Sequence, residues 1–215
     1  METFGLARAG TTSLMLNLSK IEQFASLSYA NMPMLTAPNL WHKIYHPKSK
    51  KLKERSHQDG ILIGLESKEA LEEYFFKMQS KDAFVKDDFL LRHDITKEEY
   101  KAYIDYQSIV KNDNEKVYLA KNNNFILRYE SIRLHNSQFV LLLLFRDPLS
   151  HAASLLDKHI YYSKTQQEDP FVLEYMNWLG HHEFGNNQKT FAFFRKLFCL
   201  RFRQKFYRLL AFFLD

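Results

Sequence analysis

The nine residues Gly5–Ser13 read "GLARAGTTS". Gly5 and Gly10 stand five apart, the outline of a phosphate-cradling loop of the form G-x-x-x-x-G-K-[ST]. Thr11 occupies the lysine position of that pattern. Glu2–Ala7 reads as a short strand entering the loop. Thr12 to about Phe24 reads as a helix leaving it, with Leu14, Leu18 and Ile21 at helical spacing. A strand–loop–helix unit aims backbone N–H groups and the positive end of a helix dipole at one spot. Thr11 and Thr12 add hydroxyl donors there. The cation inside the loop is Arg8, whose planar fork suits phosphoryl or sulfuryl oxygens. The stretch thus reads as an anion-binding loop with its charge moved from position 11 to Arg8. A strand-to-helix turn without a ligand would carry the same pattern.

Further along, Gln138–Phe145, "QFVLLLLF", has the continuous apolar character of a strand buried on both faces. Asp147-Pro148 then reads as the cap and first residue of a helix. Between these units, Asp59-Gly60 signals a turn before a strand in "ILIGL", residues 61–65. Ser67 is expected to cap a helix, with Glu69 in its first turn and Ala70, Leu71, Tyr74, Phe75 and Met78 on one apolar face. Thr96 and Glu99 form a capping-box pattern that opens a helix to about Val110. Val117–Ala120 is a brief strand, and Asn123 or Asn124 is expected to cap a helix through Leu134. Strands alternating with helices predict the α/β class. The expected architecture is a three-layer P-loop-like fold, its central, mainly parallel sheet flanked by helices.

The 215 residues, 46% hydrophobic and 26% charged, suffice for one domain with a sizeable core. The chain has 6 glycines, so two within one loop are informative. A net charge of +5 suits an anionic ligand, although a mildly basic surface needs none. Cys199 is the single cysteine, which excludes an intrachain disulfide and fits a cytoplasmic location. There is no signal-peptide pattern, and no apolar run approaches the roughly 18 residues of a spanning helix.

Two domains are expected, an α/β domain over 1–190 and a tail over 191–215. Residues 31–59 form an excursion with Pro33, Pro38 and Pro47. Its basic run, Lys48, Lys50, Lys51, Lys53 and Arg55, reads as a solvated face. In the tail, Phe194, Phe198, Phe202, Phe206 and Leu210 recur every four residues among Arg195, Lys196, Arg201, Arg203, Lys205 and Arg208. This predicts a basic amphipathic helix. Either it packs on the sheet through its Phe stripe, or residues 194–210 make weak contact with an anionic membrane surface.

Arg146 leaves the C-terminal end of the apolar strand, where open α/β sheets bind ligands. Ser150 and Ser154 follow on one face of the next helix. An Arg and a Ser so placed can hold a second phosphate. A capped turn with Arg146 in a surface ion pair would use the same residues.

The pair of motifs resembles the sulfotransferases that use 3′-phosphoadenosine 5′-phosphosulfate (PAPS). In that family a [KR]-[SAG]-G-T-[TS] loop binds the 5′-phosphosulfate, and Arg8-Ala9-Gly10-Thr11-Thr12 is similar. The family's second motif is an Arg at a strand end, an acidic residue or Asn, Pro, and a Ser eight residues after the Arg. Arg146-Asp147-Pro148 and Ser154 match it. Lys121-Asn122 resembles a K-N-P segment of the family. "ERSHQDGILIGLESKEALEE" and "GHHEFG" resemble stretches of one branch. The resemblance covers about residues 4–190. The chain departs from the pattern at Asn123, where Pro is common. A first strand beginning almost at Met1, and no recognisable late acidic strand or Gly-rich motif, lead to the expectation that both ends are shortened.

The resemblance implies sulfuryl transfer from PAPS to a hydroxyl or amine acceptor, with PAP as product. It implies donor binding by Arg8, Ala9, Gly10, Thr11, Thr12 and Ser13, with Arg146 and Ser154 at the 3′-phosphate. Arg8 would stabilise the transferred group and Lys121 the leaving group, and His42 or Glu66 would serve as base. No metal is implied, and His181, His182 and Glu183 lack the H-E-x-x-H spacing of a zinc site. The acceptor is a small molecule or glycan, and no nucleic-acid partner is expected. Two other readings stay open. One is a P-loop kinase or NTPase with Asp147 on Mg²⁺. The other is a truncated, inactive PAPS-binding or membrane-associated relative.

Overall fold

The computed structural model describes residues 1–46, 51–55 and 60–193, an α/β arrangement with seven α-helices and a small parallel sheet among those residues. Pro47, Lys48, Lys50, Asp59 and the expected helix of the tail, Cys199 included, lie outside the described residues. In chain order the elements are β1 (Glu2–Phe4), α1 (Thr11–Leu18), β2 (Phe24–Ala25), α2 (Pro38–Ile44), β3 (Lys53–Glu54), β4 (Leu62–Ile63), α3 (Glu73–Ser80), β5 (Phe89–Leu91) and α4 (Lys97–Lys111). Then follow β6 (Val117–Tyr118), β7 (Ala120–Lys121), α5 (Tyr129–His135), β8 (Leu141–Leu143), α6 (Pro148–Glu168), α7 (Pro170–Leu179) and β9 (Thr190–Ala192). Among the described residues no helix is long and apolar enough to cross a membrane.

β1 lies between β7 and β8, parallel to both. Thr3 stands opposite Lys121 on one side and Leu142 on the other. Leu119 alone separates β6 from β7, and β6 pairs in parallel with β2. The Leu119 N–H donates to the Ala25 carbonyl at 2.9 Å, so β2 continues the same layer. Parallel strands need crossover connections, which carry helices over the sheet faces. They also bring every C-terminal strand end to one edge. There β1 enters the Gly5–Gly10 loop, β7 ends in Lys121, and β8 runs on toward Arg146.

The main core packs Leu71, Phe75, Phe76, Tyr103, Tyr106, Tyr118 and Phe125 together. Phe75 and Tyr106 stack with centroids 4.5 Å apart. Within it Arg128 is fully buried, forked onto Glu73 at 2.7 and 2.9 Å and covered by the Phe76 ring at 4.1 Å. The Tyr103 hydroxyl lies 2.6 Å from both Glu2 Oε1 and Glu72 Oε1. A phenol has one proton to donate, so one of these two contacts requires a protonated carboxyl. Glu72 already accepts from Tyr118 at 2.9 Å and Asn122 at 3.3 Å. Glu2 is therefore the acid, and burial followed by the neighbouring Glu72 charge pushes its pKa well up.

Some expectations hold and others change in detail. The Thr96–Glu99 capping box opens α4, with both reciprocal bonds made. Asp147 caps α6 by accepting from the Ser150 N–H at 2.8 Å, with Pro148 in the first turn. Ser67 does not cap a helix. Its hydroxyl accepts from the Gly64 N–H at 2.9 Å, and α3 begins only at Glu73. "ILIGL" supplies β4, which pairs antiparallel with β3 in a hairpin rather than joining the parallel sheet. Asn124 precedes a 3₁₀ turn, Phe125–Leu127, before α5 starts. "QFVLLLLF" contributes only three residues to β8, at the sheet edge, and is not buried on both faces: Phe145 is 82% exposed. Thr190–Ala192, straddling the expected boundary of the tail, pairs in parallel with β5.

Candidate functional site

Gly5 and Gly10 shape the loop for different reasons. A Cβ on Gly5 would meet the Leu144 carbonyl at 2.9 Å, so glycine lets the end of β8 run close beside the loop. Gly10 is left-handed, φ 98°, and caps α1 without a side chain. The first turn of α1 has neither a side-chain cap nor an acidic residue, which leaves its amide groups to other acceptors. Arg8 is also left-handed, φ 71°, a conformation that costs a non-glycine residue about 1–3 kcal/mol. The Ala9 N–H closes the turn onto the Leu6 carbonyl at 3.1 Å. Thr11 and Thr12 are buried and Ser13 is exposed.

The two motifs meet. Arg8 Nε donates to Ser154 Oγ on α6 at 3.1 Å, and Arg146 Nη1 donates to the Arg8 carbonyl at 3.3 Å. Residues expected at opposite ends of a donor thus form one cluster. His151, on the same helix, sits with Nε2 2.6 Å from the Ala7 carbonyl and ties α6 to the loop. Asp147 is occupied as the helix cap.

Lys121 lies behind the loop. Its ammonium donates to Thr12 Oγ1 at 2.7 Å and to Glu69 Oε1 at 2.5 Å. Arg55 Nη1 donates to the same threonine oxygen at 3.1 Å and stands 3.8 Å from Glu69 Oε2. Burial pushes the Glu69 carboxyl up, but the adjoining Lys121 charge and its hydrogen bond outweigh it and hold the group at about 2. Arg55 is buried, contrary to the solvated role expected for its basic run, because the β3–β4 hairpin folds it inward.

Beyond these cations opens a cavity of about 330 Å³. Its polar end holds Arg8, Thr12, Arg55, Glu69 and Lys121; its far wall is aromatic and aliphatic. α7 supplies Phe171, Val172, Tyr175, Met176 and Leu179, which the three-and-four spacing sets on one helix face. Tyr162 from α6 stacks on Phe184 at 4.9 Å to complete the wall.

Gly180, left-handed at φ 78°, ends α7 and turns "GHHEFG" across the cavity. His181 Nδ1 is 3.4 Å from Glu183 Oε1, which also accepts from Asn123 Nδ2 at 2.7 Å. Burial opposes charge on both partners, yet their mutual attraction prevails: Glu183 is held at about 2 and His181 is raised. His182 points away, with Nδ1 3.1 Å from the Asn187 carbonyl, and burial lowers it to about 4. Among the described residues no group of three or more His, Cys, Asp or Glu side chains converges as a metal-ligand set.

His42 and Glu66 stand elsewhere. His42 is on α2 with Nε2 3.4 Å from Asn31 Nδ2, outside the cavity. Glu66 lines a separate pocket with Leu16, Ser19 and Leu52. Neither is among the residues that line the cavity. Arg55, Glu69 and the His181–Glu183 pair went unassigned from sequence. The one signal for the last was the "GHHEFG" stretch itself.

No protein-family model matches the chain, and no curated protein matches it. In structure the chain is similar to the sulfotransferase STF1 from Mycobacterium tuberculosis H37Rv, with 14% identity and a TM-score of 0.46. The match covers 98% of this chain, which spans 66% of that one.

Proposed function

We propose that the chain transfers a sulfuryl group from PAPS to a hydroxyl or amine acceptor, releasing PAP. The observation that carries this is the convergence of Arg8, Lys121 and Arg146, from three parallel strand ends, on one glycine loop beside an uncapped helix N-terminus. A donor of this class bears phosphate and sulfate groups, and clustered cations with free amide groups suit them.

When bound, PAPS supplies the activated sulfuryl group and a phosphate leaving group. The amides of Gly10, Thr11, Thr12 and Ser13, together with the Ala9 turn that presents them, cradle the 5′ side. Arg8 and Lys121 offset charge that develops on the bridging oxygen. Fixed donors of this kind are worth about 2.7–4 kcal/mol each when removed from a reacting centre. Arg146 and Ser154 hold the 3′-phosphate. Glu69 keeps the Lys121 ammonium beside Thr12, whose hydroxyl Arg55 also holds, so its position is set before the donor arrives.

The Lys121–Thr12 contact also favours a second reading, an NTPase whose loop lysine is supplied from β7. Against it, Thr11 stands where that class has its loop lysine, and one oxygen of Asp147 is engaged as the cap of α6. Calorimetric titration separates the two. Saturable PAP binding without metal supports PAPS use, and Mg²⁺-dependent ATP binding with none for PAP overturns it. A chain that binds PAP yet moves no label from PAPS to any acceptor would be a binding relative instead of an enzyme.

A further inference from the structure

Arg8, Arg55 and Lys121 account for only one part of the cavity lining. The remainder is a second, differently built compartment. Its walls are the rings of Tyr162, Tyr175 and Phe184 and the aliphatic chains of Val172, Met176 and Leu179. Phe171, 66% exposed, stands at the rim. At about 330 Å³ in all, the space lies near the bottom of the roughly 300–1,000 Å³ range of small-molecule sites, too small for an extended chain of sugars. Beyond the cation cluster its polar side chains are the hydroxyls of Tyr29, Tyr162, Thr165 and Tyr175 and one hydrogen-bonded group, His181, Glu183 and Asn123.

These three are arranged in series. Asn123 Nδ2 fixes Glu183 Oε1, and that oxygen faces His181 Nδ1. With Nδ1 carrying the proton toward the carboxylate, Nε2 is the basic nitrogen. Among the described residues Nε2 has no hydrogen-bond partner. Two further polar atoms of the triad, Glu183 Oε2 and Asn123 Oδ1, are buried and without a partner among the described residues. A carboxylate buried with an open oxygen is costly for a merely structural pair. The charges around the imidazole are Glu183 and Glu69, which raise its proton affinity, and Lys121, which lowers it; the net effect, burial included, is a rise. The Tyr29 and Tyr175 phenols are pushed up by burial and do not titrate near neutrality.

We infer that this compartment is the acceptor subsite, that it takes a compact alcohol or phenol with an apolar body, and that His181, oriented by Glu183, accepts the proton of its hydroxyl. The inference rests on the sulfuryl-transfer reading above. In the step, the acceptor oxygen forms a bond to sulfur as its proton passes to His181 Nε2. The bond from sulfur to the donor's phosphate oxygen breaks, and that electron pair stays on the phosphate beside Arg8 and Lys121. An imidazole raised above its ordinary value by Glu183 suits this work better than Glu69 or Glu183, both held at about 2.

The experiment uses the full chain, 2-naphthol as the phenol probe and N-acetylglucosamine as the sugar probe. Three quantities are read: PAP affinity, naphthol binding without donor, and label transfer from PAPS across pH. The expected result is naphthol binding and transfer, with transfer rising as pH passes the His181 titration. His181→Gln should keep PAP affinity within about twofold and lose about 100-fold or more in kcat, the usual worth of a general base. Glu183→Gln should move the acidic limb of the profile, and the His181 ring titration seen by NMR, to lower pH, because it removes the charge that raises the imidazole. A structural role alone would not shift that limb. Intact PAP binding with preference for the sugar, or with His181→Gln within threefold of wild type, would overturn the inference and leave the donor site standing. Absence of PAP binding would overturn both.

Discussion

The Lys121 ammonium lies 2.7 Å from Thr12 Oγ1, across 109 residues of chain. It brings a lysine charge to a glycine loop that has threonine where the phosphate-loop pattern has lysine. The parallel register makes this possible, since Thr3 of β1 stands opposite Lys121 of β7 and the loop begins two residues later. Glu69 holds the ammonium from the other side, and Arg55 stands 3.8 Å from the second oxygen of the same carboxylate.

The pair is buried, so breaking it strands a charge. Lys121→Met should lower stability by about 3–5 kcal/mol, the usual cost of leaving one partner of a buried ion pair alone. Lys121→Met with Glu69→Gln should recover part of that loss, because the carboxylate is removed together with the ammonium, while Arg55 gives up its contact with Glu69. Urea unfolding of the two single variants and the double variant gives the coupling directly. A loss in the double variant equal to the sum of the two single losses would show that the pair is not coupled.

Acid should unfold the chain through two carboxylates. Glu69 and Glu183 are both held at about 2, below the ordinary 4.5. A depressed carboxyl contributes stability above its unfolded value and loses it as pH falls through its folded value. Unfolding free energy should therefore drop between about pH 4.5 and 2. Glu183→Gln should flatten that part of the curve, as read from urea midpoints at a series of pH values. An unchanged slope would remove Glu183 from the account.

Glu2 works in the opposite sense. Its folded pKa is raised, so its contribution is complete below the ordinary 4.5 and is lost as pH rises through the folded value. An amide cannot ionise. Glu2→Gln should then raise the thermal midpoint relative to wild type at pH 8, with little difference at pH 4. A midpoint lowered equally at both pH values would mean that Glu2 and Glu72 do not share a proton through Tyr103.

Gly5→Ala should weaken PAP binding more than it weakens the fold. The added methyl would press on the Leu144 carbonyl at 2.9 Å and push the end of β8, and Arg146 with it, away from the loop. A loss of about 10-fold or more in PAP affinity is expected, the scale of one charged hydrogen bond of about 1.5–3 kcal/mol. Unchanged affinity would mean that Arg146 is not positioned through this contact.

What the sequence made legible was local. The Thr96 and Asp147 caps are contained within short stretches and are built as their chemistry implies, and the loop leads into α1 at Thr11. What it hid was carried by tertiary contacts. Arg55 sits in a run of lysines that looks like a solvated face, and only the β3–β4 hairpin turns it inward. Glu69 has the pattern of a first-turn helical residue, yet Ser67 is engaged with Gly64 and the helix starts later. His42 has the chemistry of a base, but on α2 it is not among the residues that line the cavity. "QFVLLLLF" has a buried strand's composition, while its place at the sheet edge is a matter of topology.

The convergence of Arg8, Lys121 and Arg146 on one loop is tested most directly by calorimetric titration of PAP without divalent metal. The full chain should be compared with Arg8→Ala and Arg146→Ala. The expected result is one saturable site, weakened by about 10-fold or more in each variant, in line with the loss of a charged hydrogen bond. Equal affinity in all three proteins, or binding of Mg²⁺–ATP in place of PAP, would contradict it.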